Sequence, residues 1–251
     1  MVRCFFAMQY TRCYVLYRRL KAQNLIKMTD VKKEKRGGIN FFNCDNIVFM
    51  KTKTDNYYDL AIVDPPYGID ADVKNNTDKK QSKKSASKSK KYGDQSWDSC
   101  IPTEEYFAEL KRVSKKQIIW GANFFNLQGG MLYWHKNVTM PTYSTGELAY
   151  LSWLNKIDFV EITWHGMLQY DMKNKEDRIH PTQKPIMLYR WLLDKYAEKG
   201  NKIIDTHGGS FTNAIACDME GFDLDIIEID GTYFNNGVQA FDKYKQQLKL
   251  F

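Results

Sequence analysis

Histidine and cysteine are both scarce in this sequence, and neither clusters. There are four histidines and five cysteines, and Cys4, Cys13, Cys44, Cys100 and Cys217 form no Cys-x-x-Cys pair. That spacing argues against a Cys/His zinc framework and against a disulfide scaffold, and it fits a reducing, cytoplasmic setting. Long apolar runs are missing as well. None reaches the roughly 18 residues that a membrane span needs, so no membrane partner is expected. Residues 1–20 mix apolar and aromatic side chains with Arg3, Arg12, Arg18 and Arg19. Without a continuous apolar middle or a small-residue cleavage site, they read as a tail or a loosely attached helix rather than a signal peptide. Acidic residues are the minority charge: the 251-residue chain carries a formal net charge of +7. That balance suits an acidic partner such as nucleic acid.

Hydrophobic content of 43% and charged content of 27% are ordinary for a globular chain, and this length allows one sizeable core. Residues 1–37 are basic and read as an N-terminal extension, of which 1–27, upstream of Met28, are expected to be dispensable to the fold. A second segment, about 70–91, holds Lys79-Lys-Gln-Ser-Lys-Lys-Ser-Ala-Ser-Lys-Ser-Lys-Lys91 and almost no apolar residue. Ordering it would cost chain entropy with little burial in return, so a mobile loop is expected there. Its lysines are either a solvated run or a track along a phosphate backbone.

The rest alternates strand and helix signals. Strands are expected at 39–43, 60–63, 117–120, 132–134, 148–153, 159–164, 202–204 and 224–229. Helices are expected at 103–114, 185–199, 212–220 and 233–248, with Gly200 and Gly221 as stops. Strands alternating with helices imply an α/β fold whose mostly parallel sheet has helices on both faces.

Two stretches carry chemistry. In Leu60-Ala-Ile-Val-Asp-Pro-Pro-Tyr-Gly68 an apolar strand runs directly into Asp64-Pro65-Pro66-Tyr67. Ligands of open α/β sheets bind at the carboxyl ends of strands. Consecutive prolines present carbonyls without competing N–H groups. Asp64 and the Pro65 carbonyl are expected to accept hydrogen bonds from one NH2 group, localising its lone pair, with Tyr67 stacking on the base that carries it; the competing reading is that Pro-Pro ends the strand and Tyr67 packs. The second stretch is a strand ending in Asp205, the turn Thr206-His-Gly-Gly-Ser210, and a helix. Such a turn lets a ligand approach the backbone, and Glu228, about twenty residues on, suits ribose hydroxyls.

With these motifs in this order, the chain resembles the amino-group DNA methyltransferases of the N-4/N-6 adenine-cytosine family, in the circularly permuted arrangement that places Asp-Pro-Pro-Tyr before the cofactor motif. The resemblance runs from about Gly38 to the C-terminus, and takes in Gln117-Ile-Ile-Trp-Gly-Ala-Asn-Phe124 and His180-Pro-Thr-Gln-Lys-Pro185. It implies a Rossmann-like methyltransferase domain over 38–251, S-adenosyl-L-methionine as cofactor and double-stranded DNA as partner. It further implies that Asp64, Pro65, Pro66 and Tyr67 hold the target base. His180, Thr182 and Lys184 would line the methionine end of the cofactor. Asp205, His207, Gly209 and Ser210 would flank it, and Glu228 would bind its ribose. Asp45 matches the contact to the cofactor's adenine, with a helix N-cap as the competing reading.

The turn departs from the family pattern Asp-Pro-Phe-x-Gly-Ser-Gly. Here His207 stands at the aromatic position, as a packing substitute or a proton shuttle, and bulky Phe211 replaces the last glycine, where it is expected to crowd the site. No cysteine follows a proline, which disfavours methylation at cytosine C5. Within the resembled family Asp64 favours adenine N6 over cytosine N4. RNA or protein methylation is disfavoured by the motif order, and a non-catalytic DNA-binding relative is the other class. Residues 128–179 must themselves provide strands, leaving little for a recognition domain, so a short target site is expected. Tyr143, Trp164, His165 and the lysines of 79–91 are candidates to reach DNA, each with a packing or solvent role as the alternative.

Overall fold

In the computed structural model the described residues are 31–68, 101–138, 144–165, 167–180 and 182–247. The Lys-rich segment at 70–91, residues 1–30 and Tyr143 lie outside them. The chain divides into two units, Met1–Val31 with Pro66–Pro102, and Lys32–Pro65 with Thr103–Phe251. All strands and helices given below belong to the second unit.

Eleven strands are formed by the described residues: β1 (Lys32–Arg36), β2 (Ile39–Asn43), β3 (Tyr58–Val63), β4 (Ser114–Trp120), β5 (Gly130–His135), β6 (Gly146–Leu151), β7 (Ile157–Glu161), β8 (Trp164–His165), β9 (Leu168–Gln169), β10 (Lys202–Asp205) and β11 (Asp223–Glu228). Nine build one sheet in the order β1-β2-β11-β10-β3-β4-β6-β5-β7, and β8 pairs only with β9. From β2 to β4 all neighbours are parallel, whereas β6 runs antiparallel to both β4 and β5. Leu60, Ala61, Ile62, Val63, Ile203 and Ile204 are buried in succession. Consecutive burial, rather than alternation, requires cover on both faces of these central strands.

That cover comes from α1 (Asn46–Met50), α2 (Glu104–Val113), α3 (Ile186–Tyr196), α4 (Thr212–Glu220) and α5 (Gly231–Gln247). Helix α1 packs on α2, while α4 packs between α3 and α5. Thr103 caps α2 by accepting from the Tyr106 amide, and Glu104 and Glu105 occupy its first turn, where the exposed amides favour negative charge. Helix α3 has Pro185 at its N-cap, which offers no side-chain bond. The Glu176 carboxylate accepts from the Ile186 amide at 3.0 and 3.2 Å instead.

Two differences from the sequence reading have physical causes. Strand β1 lies inside the segment read as an extension. It is charged throughout and has no apolar residue, and it is held as an antiparallel edge by β2 and by Arg36, whose guanidinium pairs with Asp242 at 2.9 Å. The strand expected over 159–164 is split, because the chain leaves the sheet after Glu161 and Trp164 turns into the β8–β9 hairpin.

Candidate active site

The centre of the sheet brings the two motif strands together. β10 and β3 are parallel neighbours, with Ile203 opposite Leu60 and Ile204 opposite Ala61. From β10 the chain proceeds outward to β11; from β3 it proceeds the other way, to β4. Their carboxyl ends therefore flank a point where the winding reverses, the usual ligand crevice of an open α/β sheet. Asp205 ends β10, and Asp64 follows the last residue of β3.

Asp205 is only 2% exposed. Its carboxylate accepts from Asn213 Nδ2 at 2.9 Å and from the His207 amide at 3.0 Å. Burial pushes its pKa up to about 7, with added repulsion from Asp64 and Glu228. Glu228, at the end of β11, accepts from the Gly209 amide at 2.8 Å and from the Asp230 amide at 2.9 Å, and burial raises its pKa too. The turn after Asp205 is thus tied across two strands, and three carboxylates share one electrostatic neighbourhood.

His207 is held by polar partners. Its Nε2 lies 3.1 Å from Asn46 Nδ2, and its Nδ1 lies 3.0 Å from Thr206 Oγ1. Tyr106 hydroxyl meets Thr206 Oγ1 at 2.7 Å, and its ring meets the imidazole edge-on at 5.2 Å. Burial lowers the His207 pKa to about 3, so the ring is neutral near pH 7. His180 is likewise neutral: burial and the neighbouring Lys184 charge lower it to about 4. Its Nδ1 lies 3.1 Å from Thr182 Oγ1, and its ring packs on Tyr233.

Phe211 does not crowd the crevice. Its backbone takes φ 58° and ψ 22°, the left-handed conformation that glycine adopts without penalty. The side chain turns into the core, fully buried, stacked on Phe41 at 5.4 Å and edge-on to Phe234 at 6.0 Å. Gly237 of α5 makes room for it: a Cβ there would lie 2.6 Å from the ring. The expected obstruction is replaced by an aromatic anchor beneath the turn.

The His180–Pro185 segment reaches the other motif. Lys184 is 4% exposed, and its Nζ lies 2.5 Å from Asp64 Oδ2 and 3.1 Å from Glu147 Oε2. Burial opposes the ammonium charge, but Asp64 and Glu147 raise its pKa above the ordinary 10.5. Burial alone would raise the Glu147 carboxyl, yet Lys184 and Lys136 hold it down to about 2. Lys136 closes the row through an ion pair with Glu147 Oε1. Sequence reasoning missed Glu147, Lys136, Asn46, Tyr106 and Asn213. None lies in a motif, and only the sheet order shows where they meet.

Other sequence-derived candidates are placed elsewhere. Asp45 accepts from the Val48 amide at 2.8 Å as the N-cap of α1, one residue before Asn46. Ser210 is buried, its Oγ 3.3 Å from Thr212 Oγ1. Trp164 is also buried: its indole donates to the Gln183 carbonyl and the Arg178 guanidinium lies 4.2 Å from its ring centroid, which is a packing role. Pro66 and Tyr67 continue the chain from Pro65 into the other unit. A groove of about 500 Å³ lined by Phe159, Tyr170, Met187 and Trp191 contains none of the motif residues.

The sheet is mixed, with mostly parallel strands, and Asp64, Asp205 and Glu228 stand at the carboxyl ends of β3, β10 and β11. No protein-family model matches the chain, and no curated protein matches it. Among solved structures it is similar to the M1.HpyAVI–SAM complex, at 18% identity and TM-score 0.51, covering 80% of this chain and 98% of that one. It is also similar to PvuII DNA methyltransferase, which is cytosine-N4-specific, at 10% identity and TM-score 0.50, covering 84% and 90%. A third is TTHA0409 of Thermus thermophilus, described as a DNA modification methylase and complexed with S-adenosyl-L-methionine, at 12% identity and TM-score 0.50, covering 83% and 94%. What the chain shares with these three is the fold.

Proposed function

We propose that this chain is an S-adenosyl-L-methionine-dependent DNA methyltransferase that modifies an exocyclic amine, with adenine N6 as the target. The observation that carries this reading is the meeting of two motif blocks at one reversal point: Asp64 beside the carboxyl end of β10, and Lys184 of the His180–Pro185 segment 2.5 Å from Asp64. The residues present fit the cofactor. Asp205 and Glu228 are buried carboxylates with raised pKa values, which favours a cationic ligand over an anionic one. Glu228 retains lone pairs for ribose hydroxyls beyond the backbone amides it accepts from. When bound, S-adenosyl-L-methionine supplies an electrophilic methyl carbon.

The chain's own part is orientation. Asp64 and the Pro65 carbonyl accept from the two N–H groups of the base, directing the nitrogen lone pair out of the ring plane. Lys184 pairs with Asp64, whose carboxylate oxygens accept and do not donate. The base leaves the helix to reach these acceptors, and their hydrogen bonds offset part of the few kcal/mol that flipping costs. Positioning and oriented acceptors supply the acceleration, without a strong base.

The test is transfer of labelled methyl groups to unmodified duplex DNA, followed by mass analysis of the nucleosides. N6-methyladenine is the expected product, and Asp64→Ala should lower the rate by about 10²–10³-fold. Wild-type rate in that variant would remove Asp64 from the chemistry. Cytosine N4 is the second reading, favoured by the similarity to PvuII DNA methyltransferase, and N4-methylcytosine in the same analysis would establish it. The non-catalytic reading loses its main support once Phe211 is seen to point into the core.

A further inference from the structure

The row Lys136–Glu147–Lys184–Asp64 alternates in charge and joins four separate parts of the chain. Glu147 reaches the site because β6 runs antiparallel to its neighbours. The start of β6 therefore lies at the edge where the parallel strands end. Glu147 is opposite Trp134 in the ladder, and Ala149, two residues on, is opposite both Trp120 and Leu132. The two indoles meet edge-on at 5.8 Å. Lys184 Nζ sits 5.2 Å from the Trp120 centroid, and Lys136 Nζ 4.7 Å from the Trp134 centroid. Two ammonium groups thus rest on two aromatic faces, with one carboxylate shared between them.

Lysine is a point charge on a flexible four-carbon stem, so one carboxylate partner does not fix its ammonium. A second partner on a different strand does. A buried ammonium also needs more than one acceptor to offset its lost hydration. Resting on the methyltransferase reading above, we propose that Glu147, itself held by Lys136, is a positioning residue that fixes the Lys184 ammonium and, through it, the orientation of the Asp64 carboxylate toward the exocyclic amine. Glu147 acts by dividing the Lys184 charge. With its negative charge removed, Lys184 loses one carboxylate and leans more on Asp64, weakening that carboxylate as an acceptor and letting both side chains rotate together.

The experiment compares full-length wild type, Glu147→Gln, Glu147→Asp and Lys136→Met in methyl transfer to unmodified DNA. S-adenosyl-L-methionine binding is measured by calorimetry and folding by thermal melting. Glu147→Gln keeps the side-chain shape but loses the charge. Its kcat should fall on the order of 10–10²-fold, the scale of a misplaced reacting group. KM for DNA and the cofactor Kd should stay within about twofold of wild type, because neither ligand is bound by Glu147. Glu147→Asp should recover part of kcat, and Lys136→Met should show a smaller loss of the same kind. Wild-type kcat in Glu147→Gln overturns the proposal, as does a loss that resides wholly in KM or cofactor Kd. Should Glu147→Gln fail to fold, Lys136→Met decides: unchanged kcat there overturns the proposal. A wild-type protein that transfers no methyl group to DNA overturns the functional reading and this role with it. An active wild type with an equally active Glu147→Gln removes only the role of Glu147.

Discussion

Asp205 carries a proton near neutrality because burial outweighs the hydrogen bonds from Asn213 and His207, raising its pKa from 3.8 to about 7. Between those values the folded chain binds more protons at this site than the unfolded chain does. Its contribution to stability therefore declines as pH rises across that window. His207 and His180 act with the opposite sign. They are held neutral in the fold, at about 3 and about 4, so stability gains as pH rises from there toward the unfolded value of 6.5. Comparing wild type with Asp205→Asn isolates the carboxyl: the wild-type Tm should fall relative to the variant from pH 4 to pH 7. A pH-independent difference in Tm would show that Asp205 does not titrate there. By the same logic, a cationic ligand beside Asp205 binds more tightly as pH rises through about 7, which calorimetry at several pH values can check.

Helix α5 and the turn before α4 are coupled through Gly237 and Phe211. In an exposed helix, Gly→Ala gains about 0.5–1 kcal/mol. At Gly237 the new methyl would lie 2.6 Å from the Phe211 ring, so Gly237→Ala should instead destabilise by about 1–3 kcal/mol through overpacking. In a Phe211→Ala background the same change should be neutral or favourable, and a double-mutant cycle in denaturant measures the difference. This coupling also marks the limit of what the sequence discloses. The strands of β3, β10 and β11 were legible because each is an apolar run closed by Asp64, Asp205 or Glu228, and α4 was legible from its Gly221 stop. Phe211 was legible as a departure from a glycine, but not the direction of its ring, which depends on space left by a residue 26 positions later. Lys184 was legible as a motif residue, while its partner Glu147 was not, since only an antiparallel strand carries Glu147 to that edge. Strand β1 was illegible for a related reason. Its lysines and Arg36 show no apolar period, and its partners Asn235 and Asp242 lie about two hundred residues away.

For the molecule as a whole, the N-terminal boundary follows from β1. A chain beginning at Met28 should keep the wild-type Tm and activity. One beginning at Gly38 strips the charged edge from β2 and leaves Asp242 without Arg36, so it should melt several degrees lower and aggregate through the bared edge. Differential scanning calorimetry and light scattering would distinguish them. The ion row has a consequence at the same scale. Two lysines and two acids cancel, Lys184 is sheltered from solvent, and the contacts are far shorter than the ~8 Å over which physiological electrolyte attenuates a field. On the proposed function, added salt should accordingly leave single-turnover rates of DNA-saturated enzyme almost unchanged, while the +7 chain would lose its grip on phosphates steeply. Ionic strength becomes a knob that separates capture of the duplex from the event that marks it.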